Sequence, residues 1–126
     1  MIYGIGTDIL DIQRIEHIYQ RYGAVFARRI LTADEWELFQ NTLSARFLAK
    51  RFAAKEAFAK AVRTGLIAPV SLHNISILHD QWGAPYFAVN AVLQTWLQKR
   101  HIEHLHLSIS DEKNLVIAMV VAEMTS

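Results

Sequence analysis

The feature that most constrains the fold is a long stretch whose residue spacing predicts a helix over residues 44–63. Two different sides of this helix are apolar or small. Leu48, Phe52, Ala59 and Val62 lie on one side, and Ala53, Ala57 and Ala61 lie on the other. Because both sides can pack against protein, we expect this helix to be central, with the other elements arranged around it.

Strand patterns lie at both ends of the chain. Residues 2–10 alternate loosely and predict a strand that ends around Asp8. Residues 104–110 alternate between polar and apolar side chains, and the turn at 111–114 leads into a further strand at 115–122. The other predicted elements are a helix from Ile12 to Gly23, a short helix begun by a Thr32–Glu35 capping box, strands over 72–77 and 86–89 joined by a turn at 80–85, and a helix over 91–99. This order predicts one α+β domain spanning residues 1–126, with an antiparallel sheet packed around the long helix.

Composition excludes several classes of protein. With 126 residues, of which 52% are hydrophobic, the chain has enough apolar material for one core. A net charge of +1 is too small to favour a nucleic-acid-binding protein. The absence of cysteine excludes disulfides and thiolate metal sites and fits a reducing compartment. No apolar run approaches the roughly 20 residues that cross a bilayer, so we expect a soluble, cytoplasmic protein.

Two carboxylates interrupt apolar surroundings at separate points, Asp8 near the end of the first strand and Glu56 within the long helix. Such groups are costly to bury unless a partner, a proton or a metal ion compensates them, and an acid pair suits a divalent cation and a phosphate substrate. Each also has a structural interpretation: Asp8 can cap the next helix, and Glu56 can form a surface ion pair with Lys60. Lys55 points into the apolar arc, so its ammonium either reaches past its neighbours to solvent or meets a buried anion.

Basic and imidazole groups are also clustered. Four arginines recur at helical or near-helical spacing, which fits either a solvated face or a surface that captures an acidic protein. They are Arg14, Arg21, Arg28 and Arg29. The six histidines do not favour a zinc site, because the chain contains no helical His-Glu-x-x-His motif and no cysteine.

A resemblance to a known family lies in two stretches, Gly6-Thr7-Asp8 and the run RFAAKEAFAKA from Arg51 to Ala61. Together they closely resemble the phosphopantetheinyl transferases, in particular the short bacterial holo-acyl-carrier-protein synthases. The resemblance extends over essentially the whole chain, through Ile2–Ile9, the Arg14 helix, Arg29–Thr32, Thr64–Gly65, Gly83–Pro85 and His106–Ser110. The length also agrees, since the related double-length transferases are far longer.

The resemblance implies an activity and roles for the acid pair. The implied reaction moves the 4′-phosphopantetheine arm of coenzyme A to a serine of apo acyl carrier protein, in support of fatty acid biosynthesis, and leaves adenosine 3′,5′-bisphosphate. By motif match, Asp8 and Glu56 are the implied ligands of a magnesium ion. Lys60 is implied beside the leaving phosphate, and Glu56 is the candidate base for the carrier serine.

Other residues receive roles from the same resemblance. The positions that match the coenzyme cleft are Arg51, Lys55, Thr64, Gly65, Pro85, His106 and Ser110. Arg14, Arg21 and Arg29 match the surface that meets the acidic carrier. Family members of this length assemble as trimers with active sites at subunit boundaries, so the resemblance also implies a homotrimer.

Two positions depart from the family pattern. Asp111 stands where many relatives have histidine, and Arg63 stands where relatives often have glycine. Asp111 would repel a phosphate unless it lies in the turn, holds a metal-bound water or pairs with a basic side chain. Arg63 indicates either a different helix end or a new cation near the coenzyme. A transferase for peptide or polyketide carriers, and a noncatalytic domain that docks an acidic protein, remain alternatives.

Overall fold

The computed structural model describes residues 1–125. Its strands and helices alternate irregularly along the chain. In chain order they are β1 (Ile2–Asp11), α1 (Ile12–Tyr22), α2 (Ala24–Ile30), α3 (Ala33–Phe39), α4 (Ala45–Ala61), a 3₁₀ turn (Leu72–Asn74), β2 (Ile75–His79), β3 (Pro85–Val89), α5 (Ala91–Lys99), β4 (Ile102–Asp111) and β5 (Leu115–Met124).

The strands form two antiparallel sheets. In the larger sheet, β5 lies between β1 and β4 and pairs with both, whereas β2 and β3 form a separate pair. On β5, Val116, Ala118 and Val120 are buried against α4, while the residues between them point to the opposite, exposed face. The larger sheet therefore has one face covered by α4 and one open face.

Helix α4 packs closely against β1 because β1 carries glycines at the contact. A Cβ atom at Gly6 would overlap the carbonyl oxygen of Ala57, and one at Gly4 would overlap that of Ala61. Ala53, Ala57 and Ala61 recur every four residues on α4 and are fully buried. Small residues on both elements thus bring the helix backbone against the strand, which places Glu56 near Asp8.

The structure confirms the α+β class, the central long helix and the capping box at Thr32, whose hydroxyl accepts from the Glu35 amide. Three details of the prediction were wrong. The strands form two sheets instead of one, and β1 continues past Asp8 to Asp11. The third is α2, which was not predicted because it has only seven residues and no side-chain cap. Gly23 alone separates it from α1, as the C-cap of α1 and the N-cap of α2.

None of the helices within residues 1–125 combines the length and the apolar character that crossing a membrane requires.

Candidate active site

Asp8, Glu56 and Lys60 come together where β1 meets α4. The Lys60 ammonium lies 3.3 Å from Asp8 Oδ1 and donates a 2.8 Å hydrogen bond to the carbonyl oxygen of Thr7. Lys60 therefore pairs with Asp8 across the two elements, which replaces the surface pair with Glu56 expected from helical spacing. The Asp8 side chain is 18% exposed and that of Lys60 is 53% exposed, so the pair lies at the rim of the contact.

Asp8 is not the helix cap that a local interpretation allows. The N-cap of α1 is Asp11, whose Oδ1 accepts a 2.9 Å hydrogen bond from the Gln13 amide. Asp8 lies three residues earlier, opposite Ala118, on the face of the sheet that α4 covers. Its carboxylate is thus available to a ligand or ion rather than committed to capping α1.

The site carries more negative charge than its lysine compensates. Burial raises the pKa of the Glu56 carboxyl above its ordinary value, the nearby charge of Asp8 raises it further, and Lys60 lowers it. The net upward direction means that the ionised form of Glu56 is disfavoured beside Asp8. A cation placed between the two carboxylates would reverse that balance.

These residues fit a magnesium ion. Within residues 1–125 there is no group of three or more His, Cys, Asp or Glu side chains able to hold a metal. Magnesium suits such a sparse site, because it binds through one or two carboxylates and takes its other ligands from water and substrate phosphates. Asp8 and Glu56 are hard oxygen donors of that kind, and they would hold the ion.

Lys55 does not face a coenzyme cleft, which corrects the role implied by resemblance. Its ammonium is fully buried and donates to Glu35 Oε1 at 2.6 Å, to the Ile30 carbonyl at 2.6 Å and to the Leu72 carbonyl at 2.9 Å. All three of its donors are therefore used inside the protein. Burial lowers the pKa of Lys55, and the adjacent Glu35 carboxylate counteracts that shift. The buried anion that the helical position of Lys55 permits is Glu35.

Arg51 borders a cavity of about 450 Å³ whose walls are basic. Its guanidinium stacks on the Phe47 ring with a carbon-to-centroid distance of 3.6 Å and donates to the Ile77 carbonyl at 3.2 Å. The remaining walls contain cations and neutral residues. They are formed by Arg46, Lys50, His79, Leu38, Asn41, Thr42 and Ser44. Burial first, and then the charges of Arg51 and Lys50, lower the pKa of His79, so the cavity has a positive potential without its protonation.

The other coenzyme-matched residues lie on several elements. Thr64 and Gly65 follow the end of α4, and Pro85 begins β3. His106 and Ser110 lie on β4 and point to the open face of the larger sheet. His106 is paired there with Glu123, at 2.9 Å. A single chain therefore presents these groups on both sides of the sheet.

The arginines matched to the carrier are exposed on the first two helices. Arg14 and Arg21 lie two turns apart on α1, and Arg29 lies in the last turn of α2. Between the helices is a cavity of about 500 Å³ lined by apolar and aromatic side chains. Its walls are formed by Ile18, Tyr22, Val25, Phe26 and Arg29. This surface combines cationic and apolar groups.

The two departures from the family pattern have local explanations. Asp111 accepts from Arg46 at 2.7 Å and lies 3.1 Å from the Lys50 ammonium, so it pairs with basic side chains. Arg63 has a φ of +73° and stacks its guanidinium over the Tyr3 ring at 5.0 Å. It thus occupies the left-handed position that glycine usually fills after a helix.

Sequence reasoning gave no site role to Arg46, Lys50 and His79, and it identified Glu35 only as a helix cap. One signal was present for Arg46: it lies in the first turn of α4, which contains no acidic residue and where a cation is unfavourable. A cation at such a position indicates a role other than helix stability. The capping box with Thr32 marks Glu35 locally, but it does not reveal the ion pair of Glu35 with Lys55.

The chain is similar to known proteins over nearly its whole length. Residues 4–120 match the model of the 4′-phosphopantetheinyl transferase superfamily. Holo-acyl-carrier-protein synthase from Nitrosospira multiformis is 52% identical over 124 residues, which cover 98% of this chain and 99% of that protein.

Solved structures of holo-acyl-carrier-protein synthases are also similar to this chain. A crystal structure of holo-acyl-carrier-protein synthase from Neisseria meningitidis has a TM-score of 0.95 and 50% identity, covering 98% of this chain and 99% of that one. The synthase from Bacillus anthracis in complex with coenzyme A (3′,5′-ADP) has a TM-score of 0.83 and 36% identity, with 99% of each chain covered. This chain therefore belongs to the 4′-phosphopantetheinyl transferase superfamily.

Proposed function

We propose that this protein transfers the 4′-phosphopantetheine arm of coenzyme A to a serine of apo acyl carrier protein and releases adenosine 3′,5′-bisphosphate. The observation that carries the proposal is the meeting of Asp8, Glu56 and Lys60 at the contact of β1 with α4. Two carboxylates and a lysine at one site suit the cleavage of a phosphoanhydride. The names of the similar bacterial proteins support the same reaction.

The proposed chemistry assigns one task to each residue. The carrier serine oxygen forms a bond to the β-phosphorus of coenzyme A, the phosphoanhydride bond breaks, and adenosine 3′,5′-bisphosphate leaves with the bridging oxygen. Glu56 accepts the serine proton, directly or through a water. Lys60 offsets negative charge at the reacting phosphate. Asp8 and Glu56 would hold magnesium, which would neutralise negative charge on the pyrophosphate.

The coenzyme is proposed to bind through basic and polar groups outside this acid pair. Arg51 and its cavity suit the phosphorylated end of the coenzyme, since guanidinium groups bind phosphates well. Thr64, Gly65 and Pro85 are further proposed contacts, together with His106 and Ser110. Lys55 is excluded from this set because its ammonium is enclosed.

A homotrimer is proposed because the larger sheet has an apolar face that no element within residues 1–125 covers. Ile9 and Ile117 are paired on this face and are 62% and 46% exposed. Met119 and Ile5 extend the same patch. Exposed apolar strands of this extent are typical of protein interfaces. Since His106 and Ser110 share this face at β4, we propose that a neighbouring subunit completes the coenzyme site.

The carrier is proposed to dock on α1 and α2. Arg14, Arg21 and Arg29 supply positive charge for an acidic partner, and the cavity between the helices can receive an apolar side chain. A local basic surface of this kind is compatible with the chain's net charge of +1.

We further propose that residues 1–126 form a single domain, that the protein is cytoplasmic, and that its holo carrier product serves fatty acid biosynthesis. The cysteine-free composition supports a reducing compartment. A carrier from a peptide or polyketide assembly line is the alternative substrate of the same reaction.

Intact-mass spectrometry tests the proposed function. The purified chain is incubated with magnesium, coenzyme A and an apo acyl carrier, with peptide and polyketide carriers in parallel. One phosphopantetheine addition per carrier is expected, with loss of the product in Asp8→Ala, in Glu56→Ala and after metal chelation. Glu37→Ala, which changes an exposed acid on α3, is the matched control and is expected to retain transfer. An acyl carrier that binds but stays unmodified would instead favour a noncatalytic docking domain.

A further inference from the structure

Asp111 connects the end of β4 to two cations that line the Arg51 cavity. Its Oδ2 accepts from Arg46 at 2.7 Å, and its Oδ1 lies 3.1 Å from the Lys50 ammonium. Arg46 and Lys50 lie on successive turns of α4, so one carboxylate can contact both. Asp111 itself is not part of the cavity wall, whereas both of its partners are.

The two cations depend on Asp111 to different degrees. Arg46 also donates to the carbonyl oxygens of Glu112 and Lys113, at 2.9 Å and 2.8 Å, so the β4–β5 turn holds it independently of the carboxylate. For Lys50, Asp111 is the only ion-pair partner found within residues 1–125. Loss of the Asp111 charge would therefore leave Arg46 in place and release Lys50 toward the cavity.

The charge of the cavity is set largely by this contact. Arg46, Lys50 and Arg51 are basic wall residues, and the wall contains no acidic residue. Arg51 shares the buried Glu35 carboxylate, 3.5 Å from its Nε, with Lys55. Arg46 and Lys50 are balanced by Asp111 alone among the carboxylates that contact them in the described residues 1–125.

We propose that Asp111 is a positioning residue that limits the affinity of the cavity for the phosphates of coenzyme A by holding Lys50 and neutralising part of its charge. A bound phosphate competes with Asp111 for the Lys50 ammonium, so binding requires that ion pair to be broken or shared. This inference rests on the proposed function, which makes coenzyme A the occupant of the cavity. It explains how an anion is tolerated where it would otherwise repel the ligand.

Titration calorimetry with coenzyme A tests the proposal directly, without a carrier and without turnover. In Asp111→Asn, the dissociation constant is expected to fall about threefold at low ionic strength, because one negative charge near the bound phosphates is removed. The gain is expected to vanish at high salt. It is also expected to vanish in the Lys50→Met, Asp111→Asn double variant, because the released ammonium is then absent.

Glu112→Gln is the matched control. It removes the same charge from the neighbouring residue, whose carbonyl oxygen rather than carboxylate contacts Arg46. An equal gain in Glu112→Gln, or a gain that persists in the double variant, would overturn the proposal by showing an effect of net charge alone. Weaker binding by Asp111→Asn would overturn it as well.

Coenzyme A binding and carrier modification by the unsubstituted chain show whether the proposed function or only the role of Asp111 has failed. If that chain binds coenzyme A and modifies the carrier while Asp111→Asn binds no tighter, only the role of Asp111 is wrong. If the unsubstituted chain does not bind coenzyme A, both proposals are wrong. Repeating the titration with 3′-dephospho-coenzyme A assigns the phosphate: a smaller gain than with coenzyme A supports competition for Lys50 by the 3′-phosphate, and an equal gain supports competition by the pyrophosphate.

Discussion

The Lys55 ammonium lies 2.6 Å from Glu35 Oε1, and both side chains are completely shielded from solvent. Glu35 also accepts hydrogen bonds from the backbone amides of Thr32 and Ile77, each at 2.9 Å. The pair thus joins α4 to the start of α3 and to β2. Because Lys55 directly precedes Glu56, the same contact fixes the rotation of α4 that points Glu56 toward Asp8.

Lys55→Met is expected to lower the free energy of unfolding by about 3 kcal/mol, because it leaves the buried Glu35 carboxylate with only the longer, 3.5 Å contact to Arg51 among its ion pairs in residues 1–125. Urea denaturation followed by circular dichroism measures this loss. Lys60→Met, at the other lysine of the motif, is the control: its ion pair is exposed, so a loss below about 1 kcal/mol is expected. Equal stability losses in the two variants would contradict this account of the buried pair.

Local sequence patterns predicted several helices and strands of this fold, but they could not predict the ion pairs between residues far apart in the chain. The Thr32 and Glu35 capping box was predictable because its hydrogen bonds span three residues, and the family motif singled out Asp8, Glu56 and Lys60. The partner of Lys55 is 20 residues away, and the partner of Arg46 is 65 residues away. No periodicity relates residues at such separations. They meet only because of how the helices and sheets pack.

Gly6→Ala is expected to force α4 away from β1, since the added Cβ would overlap the Ala57 carbonyl oxygen. A stability loss of about 1 to 3 kcal/mol is expected from the overpacking. Carrier modification should fall further than stability explains, by about a hundredfold, because Glu56 moves relative to Asp8. Denaturation curves and single-turnover rates measured on the same preparation separate the two effects.

Thr7→Ala provides the control for that substitution. Thr7 is the next residue of β1, and its side chain lies on the opposite, exposed face of the sheet. It is expected to retain both stability and transfer. A Gly6→Ala variant that behaves like Thr7→Ala would show that the close approach of helix and strand is not required.

Arg63→Gly is expected to stabilise the fold. The residue has a φ of +73°, a conformation that costs side chains with a Cβ roughly 1 to 2 kcal/mol. Part of the gain is lost through the greater freedom of glycine in the unfolded chain and the lost contact with Tyr3, so a net gain of about 0.5 kcal/mol is expected. Chemical denaturation of Arg63→Gly and Arg63→Ala tests this. Alanine should be less stable than arginine, because it keeps the strain without the ring contact, and a more stable alanine variant would contradict the argument.

Arg29→Ala is expected to weaken carrier docking while coenzyme binding stays near its original strength. Arg29 lies beside the apolar cavity between α1 and α2 and is far in sequence from the Asp8 and Glu56 site. The KM for the carrier should rise by about fivefold at low salt, with a smaller rise at high salt. Arg100→Ala, at the end of α5, is the control for loss of an exposed arginine. Equal rises in both variants would point to net charge instead of a docking surface.

The ion pairs of Asp111 are expected to make stability depend on pH. Hydrogen bonds from Lys50 and Arg46 lower the pKa of Asp111 below the ordinary value of 3.8. Between the two pKa values the unfolded chain binds more protons than the folded one, so stability rises with pH in that window. The contribution is therefore complete above the ordinary pKa and is lost as the pH falls through the lower, folded-state value.

Comparison of the unsubstituted chain with Asp111→Asn isolates that contribution. At neutral pH the difference in unfolding free energy is expected to be about 0.5 to 1 kcal/mol, since these pairs are partly exposed. It should shrink steadily below about pH 4. Urea titrations from pH 7 downward measure it, with Glu112→Gln as the control for loss of an acid from the same turn. A difference that stays constant with pH would assign the effect of Asp111→Asn to packing, because an uncharged contact has no reason to weaken as the carboxylate is protonated.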